Sequence, residues 1–180
     1  DIFLAKYNPS GQMVWARRAG GTNEDEGWGV ALNTSTVFIT GYFTGSAAFG
    51  SLNTWTPSSN INMFLAAYDA NGNAQWVADA GSSQDAFGRA LAADNNSVYL
   101  AGDFSGSTLT IYDGNGILSA AITNSAPSTQ DIMVMRFLVT GTYAWSQRIS
   151  SAGNDFGRAL MQSGTNIFVG TVLAAVAAVP

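Results

Sequence analysis

The chain is built from a repeated sequence unit that occurs nearly three times in its 180 residues. Each copy opens with an aromatic strand pattern, continues through a glycine and reaches a tryptophan. The three segments read DIFLAKYNPSGQMVW from residue 1, NMFLAAYDANGNAQW from residue 62 and DIMVMRFLVTGTYAW from residue 131. A repeat of this length constrains the architecture more than any local pattern does, because each unit buries its apolar face against its neighbours.

The recurring positions are occupied by glycine and aromatic residues, which indicates that they serve packing and turns. The step between tryptophans is 61 residues and then 69. The glycines are Gly11, Gly72 and Gly141, the tryptophans are Trp15, Trp76 and Trp145, and the aromatic residues that open the next element are Trp28, Phe87 and Phe156. We therefore divide one domain, 1–180, into repeats 1–61, 62–130 and 131–180, of which the last is incomplete.

The alternation of side chains predicts an all-β chain. Phe3–Tyr7 and Met13–Arg17 flank a turn that contains Gly11, which is the pattern of a β-hairpin. Gly29–Asn33 and Val37–Phe43 predict a second hairpin. No segment has a period of 3.6 residues. The units differ in two polar segments, which we interpret as loops. Segment 22–27 is longer than 82–86, so that Trp28 follows Trp15 two residues later than Phe87 follows Trp76, and 106–130 is eight residues longer than 45–61.

Composition excludes several classes of function. The net charge is −5 with seven scattered basic residues, so no basic patch is available for nucleic acid or for an anionic membrane surface. The longest apolar run, Ile167–Val179, is shorter than the ~20 residues of a membrane span. Charged residues make up 11% and Lys6 is the sole lysine, a composition typical of exported proteins.

These motifs together resemble the bacterial β-propeller repeat of the seven-bladed type. The matching elements are DIFLAKY with its glycine and tryptophan, then AGG followed by WGVAL, then VFITGYFTG, and they recur in weaker form up to about Gly170. The Gly-x-x-x-Trp element is also similar to the tryptophan-docking motif of quinoprotein propellers. The resemblance implies a β-propeller-like array of four-stranded antiparallel blades. It also implies a bacterial, secreted or cell-surface protein without established catalytic activity.

Few residues are available for chemistry at a site. The chain has no histidine and no cysteine, which excludes Ser-His-Asp and Cys-His catalysis and zinc sites built on those residues. Calcium is the one cofactor that the sequence leaves open, with Asp69, Asn71, Asn73 and Asp85 as oxygen ligands. The alternative is that Asp69 caps a hairpin turn, and that interpretation is favoured because the bidentate glutamate of a calcium loop is missing.

Other polar and aromatic residues admit the same two interpretations. Glu24–Glu26, Asp85 and Asn154–Asp155 form a recurring acidic position that either ligates a cation or hydrogen-bonds loop backbone. Arg89 and Arg158 share a repeat position after Asp85 and Asn154, which predicts an Arg–Asp pair that braces a turn. Trp55 lies outside the repeated aromatic positions and either binds sugar or packs locally.

Fewer than three units do not close a propeller of ~4–8 blades. Either the chain is part of a longer propeller, or it associates with copies of itself, or it is a threefold fold such as a trefoil. The apolar tail Val172–Val179 is a segment that we expect to pair with another strand. The sequence thus predicts a non-enzymatic, extracellular scaffold that is structural, adhesive or binds proteins. Its expected partners are further chain segments, its own copies, extracellular proteins or glycans. The alternatives are a carbohydrate- or calcium-binding module and part of a carboxylate-based hydrolase.

Overall fold

The computed structural model describes residues 1–57, 61–124 and 126–174, and within these ranges it contains strands and turns but no helix. Consequently, no helix in this part of the chain could cross a membrane. The first two units contain the strands β1 (Ile2–Tyr7), β2 (Met13–Gly20), β3 (Asp25–Leu32), β4 (Thr36–Phe43), β5 (Ala48–Phe49), β6 (Asn62–Asp69), β7 (Ala74–Gly81), β8 (Ala86–Ala93), β9 (Ser97–Phe104), β10 (Thr108–Tyr112) and β11 (Leu118–Thr123). The third unit contains β12 (Asp131–Leu138), β13 (Tyr143–Ile149), β14 (Phe156–Ser163) and β15 (Asn166–Val172).

The four sheets are antiparallel and form a propeller-like array. Blade I has the order β3-β4-β6-β7 and is extended by β10 and β11 on the side of β7. Blade II has the order β8-β9-β12-β13. The N-terminal half-blade contains β1, β2 and β5, and the C-terminal half-blade contains β14 and β15. Strand β8 contacts both β3 and β14, so the first strands of successive blades lie next to each other.

The predicted hairpins are confirmed, but the two hairpins of one repeat do not share a blade. In blade I, β4 of the first repeat pairs along its whole length with β6 of the second, from Thr36 opposite Asp69 to Phe43 opposite Asn62. In blade II, β9 pairs with β12 from Ser97 opposite Leu138 to Phe104 opposite Asp131. Each complete blade therefore joins the second hairpin of one repeat to the first hairpin of the next.

A β-bulge recurs in the second hairpin of every unit and corrects the sequence alignment there. Gly27, Gly88 and Gly157 precede the bulged residue, which is Trp28 in the first unit, Arg89 in the second and Arg158 in the third. Trp28 is therefore equivalent to the arginines rather than to Phe87 and Phe156. The steps of 61 and 69 residues hold through this element, so the segment 22–27 carries no insertion. An alignment of WGVAL with FGRAL is shifted by two residues from the repeat step, because both patterns contain a glycine after an aromatic residue.

The long segment 106–130 is not only a loop, because it contains the hairpin β10–β11. The turn Asp113–Gly116 joins these two strands, and Gly116 has a φ of +73°. Strand β10 pairs back onto β7 of the preceding blade, with Ile111 opposite Ala80. Strand β5 pairs with β2 in the same way, with Phe49 opposite Ala19. These returning strands tie each unit to the sheet before it.

Two apolar clusters fill the space between the sheets. The larger cluster combines residues of blades I and II, including Phe38, Leu65, Leu100, Phe104 and Phe137, all fully buried. The smaller cluster lies between the N-terminal half-blade and blade I and contains Ile2, Phe43, Phe49 and Phe64. Both clusters combine large aromatic side chains with alanines, a mixture of sizes that allows close packing between sheets. The chain thus buries apolar surface between successive blades.

Candidate interaction site at the open strand edges

Successive units are joined by a tryptophan that docks on the glycine turn of the next unit. The Trp15 indole N–H donates to the Ala70 carbonyl at 3.1 Å, and the Trp76 N–H donates to the Val139 carbonyl at 3.0 Å. A Cβ added to Gly72 or Gly141 would lie 3.0 Å from the docked indole ring. Both glycines also have positive φ, +79° and +92°, which favours glycine over residues with a side chain.

At the two ends of the array, the equivalent tryptophan and the equivalent glycine turn each lack a docking partner among the described residues. Trp145 is the equivalent tryptophan of the third unit, and its indole N–H has no hydrogen bond among the residues that the structure describes. Gly11 has the same conformation as the other two glycines, with a φ of +76°, but no atom lies within 4 Å of an added Cβ. Among the described residues, the Trp145 indole N–H therefore lacks an acceptor, and no side chain docks on the turn at Gly11.

The sheet at each end of the array has an edge strand that lacks the second neighbour its equivalents have. Strand β6 lies between β4 and β7, and β12 lies between β9 and β13, whereas β1 pairs with β2 alone in the described chain. Strands β4 and β9 likewise have two neighbours, whereas β15 pairs only with β14 among the described residues. We call β1 the N-terminal edge and β15 the C-terminal edge. Unpaired strand edges of this kind are templates for the addition of another strand.

Apolar side chains are exposed at these edges although their equivalents inside the array are buried. Phe3 on β1 is 67% exposed, whereas Phe64 and Met133 at the same repeat position are fully buried. Phe168 on β15 is 54% exposed, and its equivalents Phe38 and Tyr99 are 0% and 9% exposed. A repeat position that is apolar throughout but exposed only at the ends indicates a surface that another segment covers.

A groove runs along the N-terminal edge between β1 and β3. It consists of two adjoining cavities of about 330 and 290 Å³. Both cavities are lined by Leu4, Ala5 and Val30, and the larger also by Leu32 and Trp15. Inside the array, the corresponding space beside β6 is filled by β4, and β8 packs against β3. The groove therefore has the position of a missing hairpin of the β14–β15 type.

The aspartates at the recurring acidic position hold loops in place by accepting hydrogen bonds from loop N–H groups. Asp25 is 1% exposed and accepts hydrogen bonds from the N–H groups of Gly21 and Thr44 at 2.7 and 3.1 Å. Asp155 is fully buried and accepts hydrogen bonds from Ser151 and from the Ala174 N–H at 3.0 Å. In the second unit Ala86 takes this position, and the Ser82 hydroxyl donates to the Ser105 carbonyl at 2.5 Å instead. A shared role in closing the loop explains why the position recurs.

Three of the four residues proposed for calcium, Asp69, Asn71 and Asn73, form a hairpin turn. Asp69 Oδ1 accepts hydrogen bonds from the N–H groups of Asn71 and Asn73, both at 2.9 Å. The hydrogen bond from the Asn73 N–H is the main reason why the pKa of Asp69 is lowered. Asn8 accepts the same pair of bonds in the first unit, from Ser10 and Gln12. Asp85 lies away from this turn, in a bridge with Ile61. In 1–57, 61–124 and 126–174, no group of three or more acidic residues is arranged to hold a metal ion.

The predicted arginine pair exists in one unit and with a different carboxylate. Arg89 donates to Asp103 at 2.7 and 3.0 Å, not to Asp85, because both residues lie on the paired strands β8 and β9. Burial raises the pKa of Asp103, while Arg89 opposes this shift. The Arg89 guanidinium also lies 4.3 Å from the ring centroid of Trp28. In the third unit Val172 replaces Asp103, and Arg158 lies over Phe156 at 4.8 Å.

A smaller cleft of about 300 Å³ is lined by Trp55, Tyr112 and Asp79. Burial raises the pKa of Asp79 to about 6, and a hydrogen bond from Asn62 at 3.2 Å opposes this shift in part. Trp55 packs edge-on against Phe49, with ring centroids 6.0 Å apart, which accords with the local-packing interpretation. Sequence reasoning did not single out Asp79, because its position becomes a cleft only when the hairpin β10–β11 folds back onto β7.

No model of a known protein family matches the chain. It is 30% identical over 134 residues to an uncharacterized WD repeat-containing protein of Acanthamoeba polyphaga mimivirus, an alignment that covers 70% of this chain and 10% of that protein. It is 28% identical to the regulatory protein FlaEY of Caulobacter vibrioides, over 95% of this chain and 18% of that protein. The chain thus spans less than a fifth of either relative. The repeat, the blades and the WD-repeat relative together indicate a β-repeat protein of the propeller type.

Proposed function

We propose that this chain is a non-catalytic protein-interaction scaffold that recognises other polypeptides through its two open strand edges. The observation that carries the proposal is the exposure of Phe3 and Phe168, whose repeat equivalents are buried in the array. Adding a strand to such an edge satisfies backbone hydrogen bonds, while side-chain pockets provide selectivity. The relatives support a role in interaction only in a general way, because one is named for its WD repeats and the other as a regulatory protein.

We further propose that the scaffold is exported and acts at the surface of a bacterial cell, in a structural or adhesive role. The near-absence of lysine, the lack of histidine and cysteine, and the motif DIFLAKY support this location and the seven-bladed repeat type. The repeat type does not fix how many blades a closed assembly has. A protease added to intact cells would degrade a surface-displayed protein, and full protection until the cells are lysed would contradict the location.

Photo-crosslinking at the edges tests the interaction role. A photoreactive phenylalanine analogue placed at Phe3 or at Phe168 in the full-length protein is expected to form adducts with protein in the source cells. The control position is Tyr112, which is also partly exposed but lies on β10, away from both edges. Adducts that are as abundant at Tyr112 as at the edges would contradict the proposal. The mass of each adduct distinguishes a second copy of this protein from a foreign partner.

A second candidate function is the binding of a small carbohydrate in the Asp79 cleft. Two aromatic residues, Trp55 and Tyr112, and one carboxylic acid, Asp79, line the same opening. Aromatic faces with one or two polar groups are the usual components of a sugar site. Calorimetric titration with common oligosaccharides is expected to give heat that disappears in Trp55→Ala. The absence of heat with the unmodified protein would exclude this function for the sugars tested.

A further inference from the structure

Asp79 on β7 occupies a repeat position that holds an arginine in the other two units. The steps of 61 and 69 residues make Asp79 equivalent to Arg18 on β2 and Arg148 on β13. Arg18 forms an ion pair with Asp1 at 2.8 Å, and Arg148 forms one with Asp131 at 3.0 Å. The second unit therefore carries an acidic residue where the other two units carry a cation.

The partner of this position has changed as well. Asn62 is the repeat equivalent of Asp1 and Asp131, and its side-chain N–H donates to Asp79 at 3.2 Å. All seven basic residues of the chain lie in the part that the structure describes, and none of them forms an ion pair with Asp79 there. The chain thus leaves the Asp79 carboxyl group without a cation of its own.

The hairpin β10–β11 of the second unit makes this position part of a cleft. Tyr112 on β10 pairs directly with Asp79, so the two side chains lie on one face of the sheet with their Cβ atoms ~4.5–5.5 Å apart. In the first unit the returning strand β5 has only two residues and ends before the position opposite Arg18. Trp55 and Thr56, from the segment after β5, also line the cleft.

A second carboxyl group of the chain shows which cation such surroundings accept. Asp103 is fully buried, and the Arg89 guanidinium donates to its two oxygens at 2.7 and 3.0 Å. The same guanidinium lies 4.3 Å from the ring centroid of Trp28 and 4.6 Å from that of Phe87. The cleft at Asp79 combines the same two components, a carboxyl group and aromatic residues, but lacks the guanidinium.

Burial acts on both carboxyl groups in the same direction. It raises the pKa of Asp103, and the nearby arginines, above all Arg89, oppose that shift. It raises the pKa of Asp79 to about 6, and there a hydrogen bond from Asn62 opposes the shift in part. A cation brought next to Asp79 would favour its ionised form, as Arg89 does for Asp103.

We infer that the Asp79 cleft binds the guanidinium group of an arginine side chain from another polypeptide. Its volume of about 300 Å³ is at the lower limit of the ~300–1,000 Å³ of ligand sites, which suits a single side chain rather than an oligosaccharide. The net charge of −5 favours a basic partner. The cleft is formed by β7, β10 and the segment after β5, so recognition there is independent of the edge strands β1 and β15.

Titration with two matched probes tests this assignment. N-acetyl-arginine amide carries the guanidinium, and N-acetyl-citrulline amide has nearly the same shape without the charge. In NMR spectra of the isotope-labelled protein, the arginine probe is expected to shift the backbone signal of Asp79 and the indole signal of Trp55. Its affinity should be at least about tenfold higher than that of the citrulline probe, because a hydrogen bond to a charged group is the stronger one. Equal affinities, or no shift at Asp79 with the arginine probe, would overturn the inference.

Variants of the chain locate the probe in the cleft. Asp79→Asn removes the charge and should lower the affinity for the arginine probe about tenfold. The double variant Asn62→Asp, Asp79→Arg recreates the ion pair of the other units and should abolish binding, because the cleft then holds its own guanidinium. Glu24→Gln, an equal change of charge at an exposed residue outside the cleft, is the control and should change the affinity less than about twofold. Circular dichroism verifies that the variants are folded, and unchanged affinity in Asp79→Asn would overturn the inference.

Two further probes separate an arginine from other occupants of the cleft. N-acetyl-lysine amide should bind less tightly than the arginine probe, because an ammonium group cannot form the two parallel hydrogen bonds of a guanidinium. Equal or tighter binding of the lysine probe would overturn the choice of a guanidinium. Shifts at Asp79 with a neutral disaccharide, without any response to the arginine probe, would overturn the inference in favour of the sugar. Each of these negative results leaves recognition at the strand edges standing, because Phe3 and Phe168 do not line this cleft.

Discussion

The interior of the array and its two ends are built from the same repeat but differ in what their side chains contact. In blades I and II the repeat positions are filled on both sides, and Phe64, Phe38 and Met133 are fully buried. At the ends, Phe3 and Phe168 occupy those positions and remain largely exposed. The difference teaches that burial in a repeat protein is a property of the neighbouring unit, because each unit contacts the next along the chain.

The largest contrast is expected between Phe64 and Phe3. Phe64→Ala removes a fully buried ring and should lower the free energy of unfolding by ~3–5 kcal/mol. Phe3→Ala should cost within ~0.5 kcal/mol at low protein concentration, because an exposed side chain loses little on truncation. Urea unfolding measures both. If a second copy covers β1, the cost of Phe3→Ala grows with protein concentration and that of Phe64→Ala does not. Equal costs at all concentrations would contradict the comparison.

The bulged arginines provide a contrast of similar size. Arg89→Met leaves the fully buried Asp103 carboxylate without its partner, and we expect a loss of ~3–5 kcal/mol at pH 7. Arg158→Met removes a cation that has no carboxylate opposite it in β15 and that acts on Asp103 less strongly than Arg89 does, so the change should stay within ~1 kcal/mol. Thermal unfolding of both variants gives the comparison. A loss in Arg158→Met as large as that in Arg89→Met would contradict the contrast, because the charge of Arg158 acts on Asp103 less strongly than that of Arg89.

The Asp79 carboxyl group gives a prediction with a pH dependence. Its pKa in the fold, about 6, lies above the ordinary value of 3.8, so the fold favours the protonated form. This contribution to stability is fully present below about pH 4 and is lost as the pH rises through about 6. Asp79→Asn should therefore stabilise the fold at pH 7 by up to ~3 kcal/mol and remove that dependence. Chemical unfolding between pH 3 and 7 measures it.

Asp69 is the control for that experiment, because its pKa is lowered rather than raised. Stability from Asp69 is present above its ordinary pKa and is lost as the pH falls further. Asp69→Asn keeps a side chain that caps the same turn in the first unit, where Asn8 does so. A loss of the dependence between pH 4 and 6 in this variant would contradict the assignment to Asp79.

The smallest effect is expected from the docking glycines. Gly72→Ala and Gly11→Ala both place a side chain at positive φ, which costs ~1–3 kcal/mol. Gly72→Ala adds a Cβ that meets the Trp15 ring at 3.0 Å, whereas Gly11→Ala meets nothing within one chain, so the first should cost more. Gly116→Ala has the same strain and open space and serves as the reference. A cost of Gly11→Ala above that of Gly116→Ala would show that an indole already occupies the N-terminal turn.

Much of the local structure could be predicted from the sequence, since it depends on neighbouring residues. The hairpin β1–β2 follows from the alternation around Gly11, and the turn at Asp69 follows from its capping side chain. The apolar tail Val172–Val179 was expected to pair with another strand. In the described part of this tail, β15 ends at Val172 and the Ala174 N–H donates a hydrogen bond to Asp155. Residues 175–180 lie outside the described residues.

Two features of the site could not be read from the sequence in this way. The sequence pattern aligned Trp28 with Phe87, because the similar residues WGVAL and FGRAL lie two positions out of register. The shared bulge shows that Trp28 is equivalent to Arg89. The partner of Arg89 is Asp103 on the next strand, a contact that only strand register defines. A comparison of the sequence at constant steps of 61 and 69 residues would have placed Trp28 at the position that Arg89 and Arg158 share.

The sequence by itself determined the strands, the turns and the recurring glycine and tryptophan positions, because turn geometry and side-chain alternation are settled within a few residues. Only the tertiary structure decided that the two hairpins of a repeat belong to different blades, and that β15 and β1 are left as complementary edges. The physical reason is that strand pairing between hairpins is a long-range choice. It depends on which apolar faces stack together rather than on residues that are adjacent in the chain.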